Sequence, residues 1–412
     1  MNTPATHEAL KISEGLHRLG SSVRAMREIR AFGIGLMCVS FTACGGGSAS
    51  LLPTSTASTG TTVTPQVSTL RADLASPWGL AFLPDGSMLV TEKAGKLYRI
   101  SADASARTEV LGLPVVDAGG QGGLLDVAID PDFASDPWIY LSYSEPGVGN
   151  DLGKSGTALL KARLSGHQLA DAAVIFRQQP KVSGSGHYGS RLVFARDKTL
   201  FITLGERQLG DPAQDLAQTL GKVVRLQRDG SFPTDNPALG PTALPGIWSM
   251  GHRNPQGAAL HPQTGELWVS EHGPQGGDEV NISRAGKNYG WPIRSYGCQY
   301  GSPIGDACRI GSGVHAPSFE EPLTFWQPVS VAPAGLMFYQ GSMFPQWRGN
   351  LFSGSLAGMA LWHMRLDGNT IAERESLFTD LKSRIRDVKQ APDGSIMLLT
   401  DEGKLLRVAA KP

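Results

Sequence analysis

The chain has 412 residues, with 37 basic side chains against 37 acidic ones and a formal net charge of zero. No long run of Lys or Arg follows residue 30, so the electrostatic footprint of a nucleic-acid binder is missing. Gly (51) and Pro (27) are abundant, which suits a chain that turns often and builds few long helices; the expected class is all-β.

The chain opens with an address. An apolar stretch, AFGIGLMCVSFTA, ends at Ala43, too short to span a bilayer as a stable helix, and Cys44 with a Gly/Ser tract follows at once. This is a signal-peptide core. Phe41-Thr42-Ala43-Cys44 resembles a bacterial lipobox, whose cysteine is acylated and becomes the mature N-terminus; plain cleavage and an uncleaved anchor are the alternatives. A start at Met26 would place the basic MREIR directly before that core. Residues 1–44 are therefore expected to be a signal peptide with lipobox, and residues 45–66, small, hydroxylated and nearly uncharged, a flexible tether. The expected folded domain, 67–412, works in the periplasm, either free or held at the outer membrane through that lipid alone. Cys38 and Cys44 belong to the signal segment. Cys298 and Cys308, ten apart in a Gly/Pro-rich loop, form either a disulfide or two unrelated thiols, since no His or further Cys lies at metal-site spacing.

From residue 67 onward one unit recurs: an alternating apolar run, a turn with Asp, Gly or Pro, and a second apolar run. Its copies are GLAFLPDGSMLVTE (79–92), DVAIDPDFASDPWIYLSYSE (126–145), RLVFARDKTLFITLGE (191–206), GAALHPQTGELWVSEHG (257–273), the degenerate GLMFYQGSMFPQWRGNLFSGSL (335–356), and DVKQAPDGSIMLLTDEG (387–403). Each reads as a β-hairpin. Pro84 and Pro392 lie five intervals apart, a mean period of about 62 residues, enough for a four-stranded sheet with loops. Such a sheet cannot bury both faces alone, and radial stacking around an axis solves this. The expectation is a six-bladed β-propeller of four-stranded antiparallel blades, with a solenoid or sandwich as the alternative. GKLYRI (95–100) and GKLLRV (403–408) read as equivalent outer strands, so the first and last blades are built alike. The stretch 213–222, the best helical periodicity, is expected to be a short turn or loop.

In a propeller the loops at one end of the channel carry function. Four stand out: GGQGGLLD (119–126), SGSGHYGSR (183–191), MGHRNPQG (250–257) and EHGPQGGDEVN (271–281). His187, in a Gly/Ser loop before a strand, is either a proton acceptor facing a ligand or a solvated loop histidine; Glu206, closing the same hairpin, is placed to orient it. His252-Arg253-Asn254-Pro255-Gln256-Gly257 packs a cation, an amide pair and a rigid turn into six residues, a fixed fork of donors for carboxylate or quinone oxygens, or else a turn whose Arg caps neighbouring carbonyls. Asp278 and Glu279 beside a Gly-rich backbone offer hard oxygen donors, although the spacing is not that of an EF-hand. Arg384 and Arg386 fall on one face of a strand, with Asp387 the only acid beside them, and point to an anionic partner or to solvent. Trp326, Tyr339 and Trp347 read as core.

Six strings in this order, GQGGLLDVA, GHYGSRLVF, GHRNPQG, SEHGPQGGDEVNI, GKNYGWP and SRIRDV, resemble the soluble pyrroloquinoline-quinone (PQQ) sugar dehydrogenases, nearest their aldose sugar dehydrogenase branch, over roughly residues 68–408. The resemblance implies a PQQ- and Ca²⁺-dependent enzyme oxidising aldose sugars at C1 to lactones, with electrons leaving to an artificial or periplasmic acceptor. It implies that His187 is the general base, that Gln121 lies near sugar and cofactor, and that Arg253 and Asn254 bind and polarise the quinone. Arg384 and Arg386 would hold cofactor carboxylates, with His272 in the same cofactor site. The carbonyls of Gly273 and Pro274 would ligate the catalytic Ca²⁺, and Glu279, Tyr289 and Asp278 a separate structural ion.

The chain departs from the pattern in three places. Gly186 stands where the glucose-oxidising branch has Asp, His272 where it has Gln, and Ala357 where a cofactor-binding Lys is expected. The competing readings are a calcium-dependent propeller lactonase or related hydrolase, and a non-catalytic exported sugar- or quinone-binding propeller. Either a monomer or a homodimer fits.

Overall fold

The computed structural model describes residues 62–411. The expected signal peptide, Cys44 and most of the expected tether lie outside the described residues. Within them the six hairpins sit as expected, each forming the two inner strands of a four-stranded antiparallel sheet.

After β1 (Pro65–Arg71), the first blade is β2 (Pro77–Phe82), β3 (Met88–Glu92), β4 (Lys96–Ile100) and β5 (Arg107–Val110). The second is β6 (Leu124–Ile129), β7 (Trp138–Pro146), β8 (Ser155–Ser165) and β9 (Gln168–Arg177). The third is β10 (Gly189–Phe194), β11 (Leu200–Leu204), β12 (Lys222–Leu226) and β13 (Ile247–Met250). The fourth is β14 (Pro255–Leu260), β15 (Leu267–Glu271) and β16 (Asp278–Ser283), then an excursion with β17 (Ser295–Cys298) and β18 (Arg309–Ile310) before its outer strand, β19 (Thr324–Trp326). The fifth is β20 (Pro333–Phe338), β21 (Leu351–Ser355), β22 (Leu361–Asp367) and β23 (Thr370–Leu377). The sixth is β24 (Ile385–Gln390), β25 (Ile396–Thr400) and β26 (Leu405–Ala410), completed on the outside by β1. The structure describes a six-bladed β-propeller.

The first strands β2, β6, β10, β14, β20 and β24 touch their neighbours in sequence and then close the ring, so they line the axis. Each junction between blades has its own apolar core. Leu89 and Leu97 meet Leu124 and Ile139, Tyr140 and Leu159 meet Leu192 and Ile202, and Phe201 and Val223 meet Ala258 and Val269. Trp268 and Val280 meet Leu336 and Phe338, Phe352 meets Val388 and Leu398, and Leu399 meets Leu80 and Val90. This is why the strands read as nearly continuous apolar runs: each is covered on both faces, at about 1.5–3 kcal/mol for each large aliphatic side chain buried.

The seal and the axis correct the expectations. GKLYRI and GKLLRV are the third strands of their blades, β4 and β26; the outermost positions belong to β5 and β1. β1 pairs antiparallel with β26 from Pro65 opposite Ala410 to Arg71 opposite Leu405, so the domain begins two residues before Val67. At the axis Arg191 is fully buried, with Nη1 at 3.0 Å from Asp126 and 3.1 Å from Asp387, Nε donating to the Gln256 carbonyl, and its guanidinium over Trp78. Asp387 is thus the partner of Arg191 rather than the acid beside Arg384 and Arg386. Of residues 213–222, the first two close a 3-10 turn at Asp211–Gln214, 215–221 are loop and Lys222 opens β12. Trp326, Tyr339 and Trp347 are core.

Candidate functional site

Antiparallel order decides which loops meet. The start of every first strand, the end of every second, the start of every third and the end of every fourth lie at the same end of a blade. The four loops singled out in the sequence, together with 93–95, 205–221, 378–384 and 401–404, therefore gather at one end of the channel.

His187 is buried, and its Nδ1 lies 2.8 Å from Glu206 Oε1. Glu206 Oε2 accepts from the Leu209 and Gly210 amides, so the carboxylate cannot swing away. Burial lowers the His187 pKa, the hydrogen bond to Glu206 acting against it. Burial opposes ionisation of Glu206 too, but the hydrogen bond and charge of His187, the Gly210 amide and the charge of Arg253 together outweigh it and leave its pKa below the usual value. The pair is a neutral imidazole held by a carboxylate: Glu206 accepts from Nδ1–H, which leaves the Nε2 lone pair open, since Nε2 has no protein partner among the described residues. The backbone is strained to achieve this, with His187 at φ 49°. Gly205 answers that need, because a Cβ there would lie 2.1 Å from the His187 carbonyl oxygen.

Gln121 fixes the same residue from the other side, its Oε1 accepting from the His187 amide at 2.9 Å. Beside it opens a cavity of about 340 Å³ walled by Trp78, Lys93, Gln121, Gln256, His272, Arg384, Arg386 and Asp401, with Gly120, Ala332 and Leu356. Larger clefts, about 530 and 650 Å³, are lined by other residues, chiefly of β9 and 230–245 in one case and of β1, β22 and β23 in the other. Arg384 Nε and Arg386 Nε both reach Asp401, at 2.9 and 2.8 Å. Arg386 Nη1 donates to Gln256 Oε1 at 2.7 Å. Three cations thus face the cavity against one carboxylate, the charge balance of a site for an anion with several carboxylates. Ala357 is exposed at the rim, next to Leu356, whose carbonyl accepts from Arg384.

The remaining predicted residues form the adjoining wall. Arg253 Nη1 donates to the carbonyls of His272 and Gly273, and its buried Nε has no partner. Asn254 is a brace: its Oδ1 accepts from the Gly189 amide and its Nδ2 faces His272 Nδ1 at 3.3 Å. Burial, then the charge of Arg253, pushes His272 down to about 3, so it is a neutral donor to the Pro333 carbonyl. Asp278 is committed to the protein, accepting from the amides of Gly273, Val331 and Ala332 and from the Ser330 hydroxyl. The Tyr289 hydroxyl is likewise spent on the Ile282 carbonyl and the Arg284 amide, and its ring stacks on His252. Glu279 is buried near Glu271, and burial followed by that like charge raises its pKa well above the usual carboxylate range. Between them Asn281 Oδ1 is buried without a donor. No cluster of three or more His, Cys, Asp or Glu side chains is arranged around a metal position among the described residues.

Lys93 and Asp401 were missed in the sequence, as was Arg191. Lys93 and Asp401 look like ordinary turn residues, yet each follows the second strand of its blade directly, as His272 does after β15. Aligning the repeats at that position would have exposed them.

Residues 74–407 match the family model described as Glucose / Sorbosone dehydrogenase. The chain belongs to the Glucose / Sorbosone dehydrogenase family. Aldose sugar dehydrogenase YliI of Escherichia coli (strain K12) is 44% identical over 355 residues, covering 84% of this chain and 94% of that protein. The crystal structure of the soluble aldose sugar dehydrogenase from E. coli in its apo-form superposes with a TM-score of 0.79 at 42% identity, over 84% of this chain and 100% of that one. The PQQ-bound aldose sugar dehydrogenase of Streptomyces coelicolor superposes at 0.68 with 28% identity, over 85% and 99%. The Glucose / Sorbosone dehydrogenase family is an oxidoreductase family, so the matches set the reaction class as well as the fold.

Proposed function

We propose that this protein oxidises aldose sugars at C1 to lactones with PQQ as bound cofactor and Ca²⁺ as its companion ion. The observation that carries the reading is the His187–Glu206 pair set beside a cavity walled by Lys93, Arg384 and Arg386. Basic walls and the unpartnered Nε of Arg253 suit a quinone bearing three carboxylates. They are the opposite of the carboxylate-lined channel that a calcium-dependent hydrolase requires.

When bound, the quinone supplies the hydride acceptor and Ca²⁺ a Lewis acid beside it. His187 Nε2 takes the proton from the C1 hydroxyl, and Glu206 holds the tautomer and stabilises the imidazolium that forms. Gln121 fixes the height of His187 through its backbone and presents its amide to the sugar. Arg384 and Arg386 grip carboxylates, while Arg253 faces the quinone oxygens with Asn254 and His272 bracing it. For the ions, the carbonyls of Gly273 and Pro274, in the loop after β15, are the hard donors, that of Gly273 shared with Arg253 Nη1, and Glu279 with Asn281 Oδ1 fits a second, structural cation. Asp278 instead shapes the loop, and Tyr289 has only its backbone carbonyl to give. In the same reading the enzyme works in the periplasm, tethered through Cys44, and passes electrons to an acceptor there; the Cys298–Cys308 disulfide suits an oxidising compartment.

Dye-linked oxidation of a panel of aldoses, with and without PQQ and Ca²⁺, tests this. Activity that requires both additions and collapses in His187→Ala is the expected result. A folded protein showing no cofactor-dependent oxidation of any aldose overturns the reading.

A further inference from the structure

We propose that Lys93 is a third anchor for the carboxylates of the bound cofactor, supplying a cation that Arg384 and Arg386 cannot replace. The inference rests on the function proposed above and concerns the same cavity.

The backbone of Lys93 is fixed by two blades at once. Its amide donates to the Ser76 carbonyl at 3.2 Å, and its carbonyl accepts from the Leu124 amide at 3.1 Å. The approach is so close that a Cβ on Gly123, at φ 137°, would lie 2.2 Å from the Lys93 carbonyl oxygen. Only glycine serves there. From this fixed point the half-buried side chain reaches the cavity, where Nζ donates to the Gly120 carbonyl at 2.6 Å.

Its charge has no acidic partner. Among the described residues no carboxylate lies within ion-pair distance of Nζ, and Asp401, the only acid in the cavity wall, is held by both arginines. The charges of the two arginines, by contrast, are shared with Asp401 and their planes are fixed by the protein. Every nitrogen of Arg386 is engaged: Nε and Nη2 on Asp401, and Nη1 on Gln256. Arg384 spends Nε on Asp401 and Nη1 on the Leu356 carbonyl. An ammonium carries three donors, and Lys93 uses one of them on Gly120. Lys93 is therefore the one cation in the cavity wall that makes no ion pair with a carboxylate among the described residues, with two of its three donors uncommitted. Burial and then the charge of Arg386 act against its protonated form and the charge of Asp401 offsets them only in part, a cost that an incoming carboxylate relieves.

A purely structural role, tethering the Gly119–Gly123 loop through Gly120, makes a different prediction. PQQ is titrated into the wild-type protein, Lys93→Met and Lys93→Arg at low and moderate salt, with bound cofactor measured by equilibrium dialysis and folding checked by thermal melting without cofactor. Lys93→Met is expected to raise the Kd for PQQ about ten- to a hundredfold and to flatten its salt dependence, while Lys93→Arg stays within about threefold of wild type. A Kd unchanged in Lys93→Met, or weakened equally in both variants, overturns the anchor. A wild-type protein that melts normally and binds no PQQ sinks the proposed function itself, an outcome separable from the other two.

Discussion

At the scale of single residues, His187 and Glu206 behave as one unit, and their effect on pH dependence has a definite sign. The base must be unprotonated to act, and burial holds the His187 pKa below its ordinary value of 6.5. The acid limb of a kcat/KM profile should therefore fall below pH 6.5, activity being lost as pH drops through the His187 pKa. Glu206→Gln removes the influence that raises that pKa; the limb moves to still lower pH while kcat falls about a hundredfold from loss of imidazolium stabilisation. A limb above 6.5, or an unchanged kcat in Glu206→Gln, would remove the pair from the mechanism. His187 stood out in the sequence as a histidine among Gly and Ser, but whether it faced a ligand or solvent was open there; only the fold buries it and sets Glu206 against Nδ1. Lys93 and Asp401 did not stand out, since a charge in a tight turn reads as solvated until the repeats are laid over one another.

At the scale of elements, the Gly273–Gly277 loop is shaped by Asp278, a residue whose sequence context suggested a metal ligand. The ambiguity has a physical cause: a carboxylate in a Gly-rich loop serves equally well as a hard ligand or as acceptor for exposed amides, and only the fold brings up Ser330, Val331 and Ala332 to meet it. Asp278→Ala leaves the buried amides of Gly273, Val331 and Ala332 without an acceptor, a cost of about 3 kcal/mol or more. The expected outcome is a lower denaturation midpoint together with weaker cofactor binding, because Ala332 and His272 belong to the same cavity wall. Loss of stability with cofactor affinity intact would separate this loop from the site. The loop has a second support in the excursion before β19, where Gln275 exchanges backbone hydrogen bonds with Cys298 beside the disulfide. That excursion carries no repeat signal, which is why the sequence says little about it.

For the whole molecule, hairpins, period and blade count were legible because each blade repeats the same alternation and turn chemistry. Asp85, Asp197 and Asp393 each cap a turn through a Ser or Thr two residues on, and each pairs with an Arg of its blade's third strand: Arg99, Arg225 and Arg407. The seal was not legible, since PQVSTLR in β1 has no partner nearby in sequence and resembles the end of the polar tract before it. Removing residues through Arg71 should cost at least about 3 kcal/mol by taking away Val67 and Leu70, which pack against the cores between blades five and six and between blades six and one. Chemical denaturation of the shortened chain checks this, and an unchanged midpoint would show that the ring does not depend on its seal.

The same pairing sets a clock on the molecule's birth. Pro65 meets Ala410, so the first strand of the domain to be synthesised waits for nearly the last residue before it has a neighbour. Five blades can stack as they emerge, each on the one before, but the sixth stays one strand short until the ends find each other. Contacts across such a separation are slow to form. Until then β26 presents an unpaired edge, and the growing chain is open to pairing with strangers.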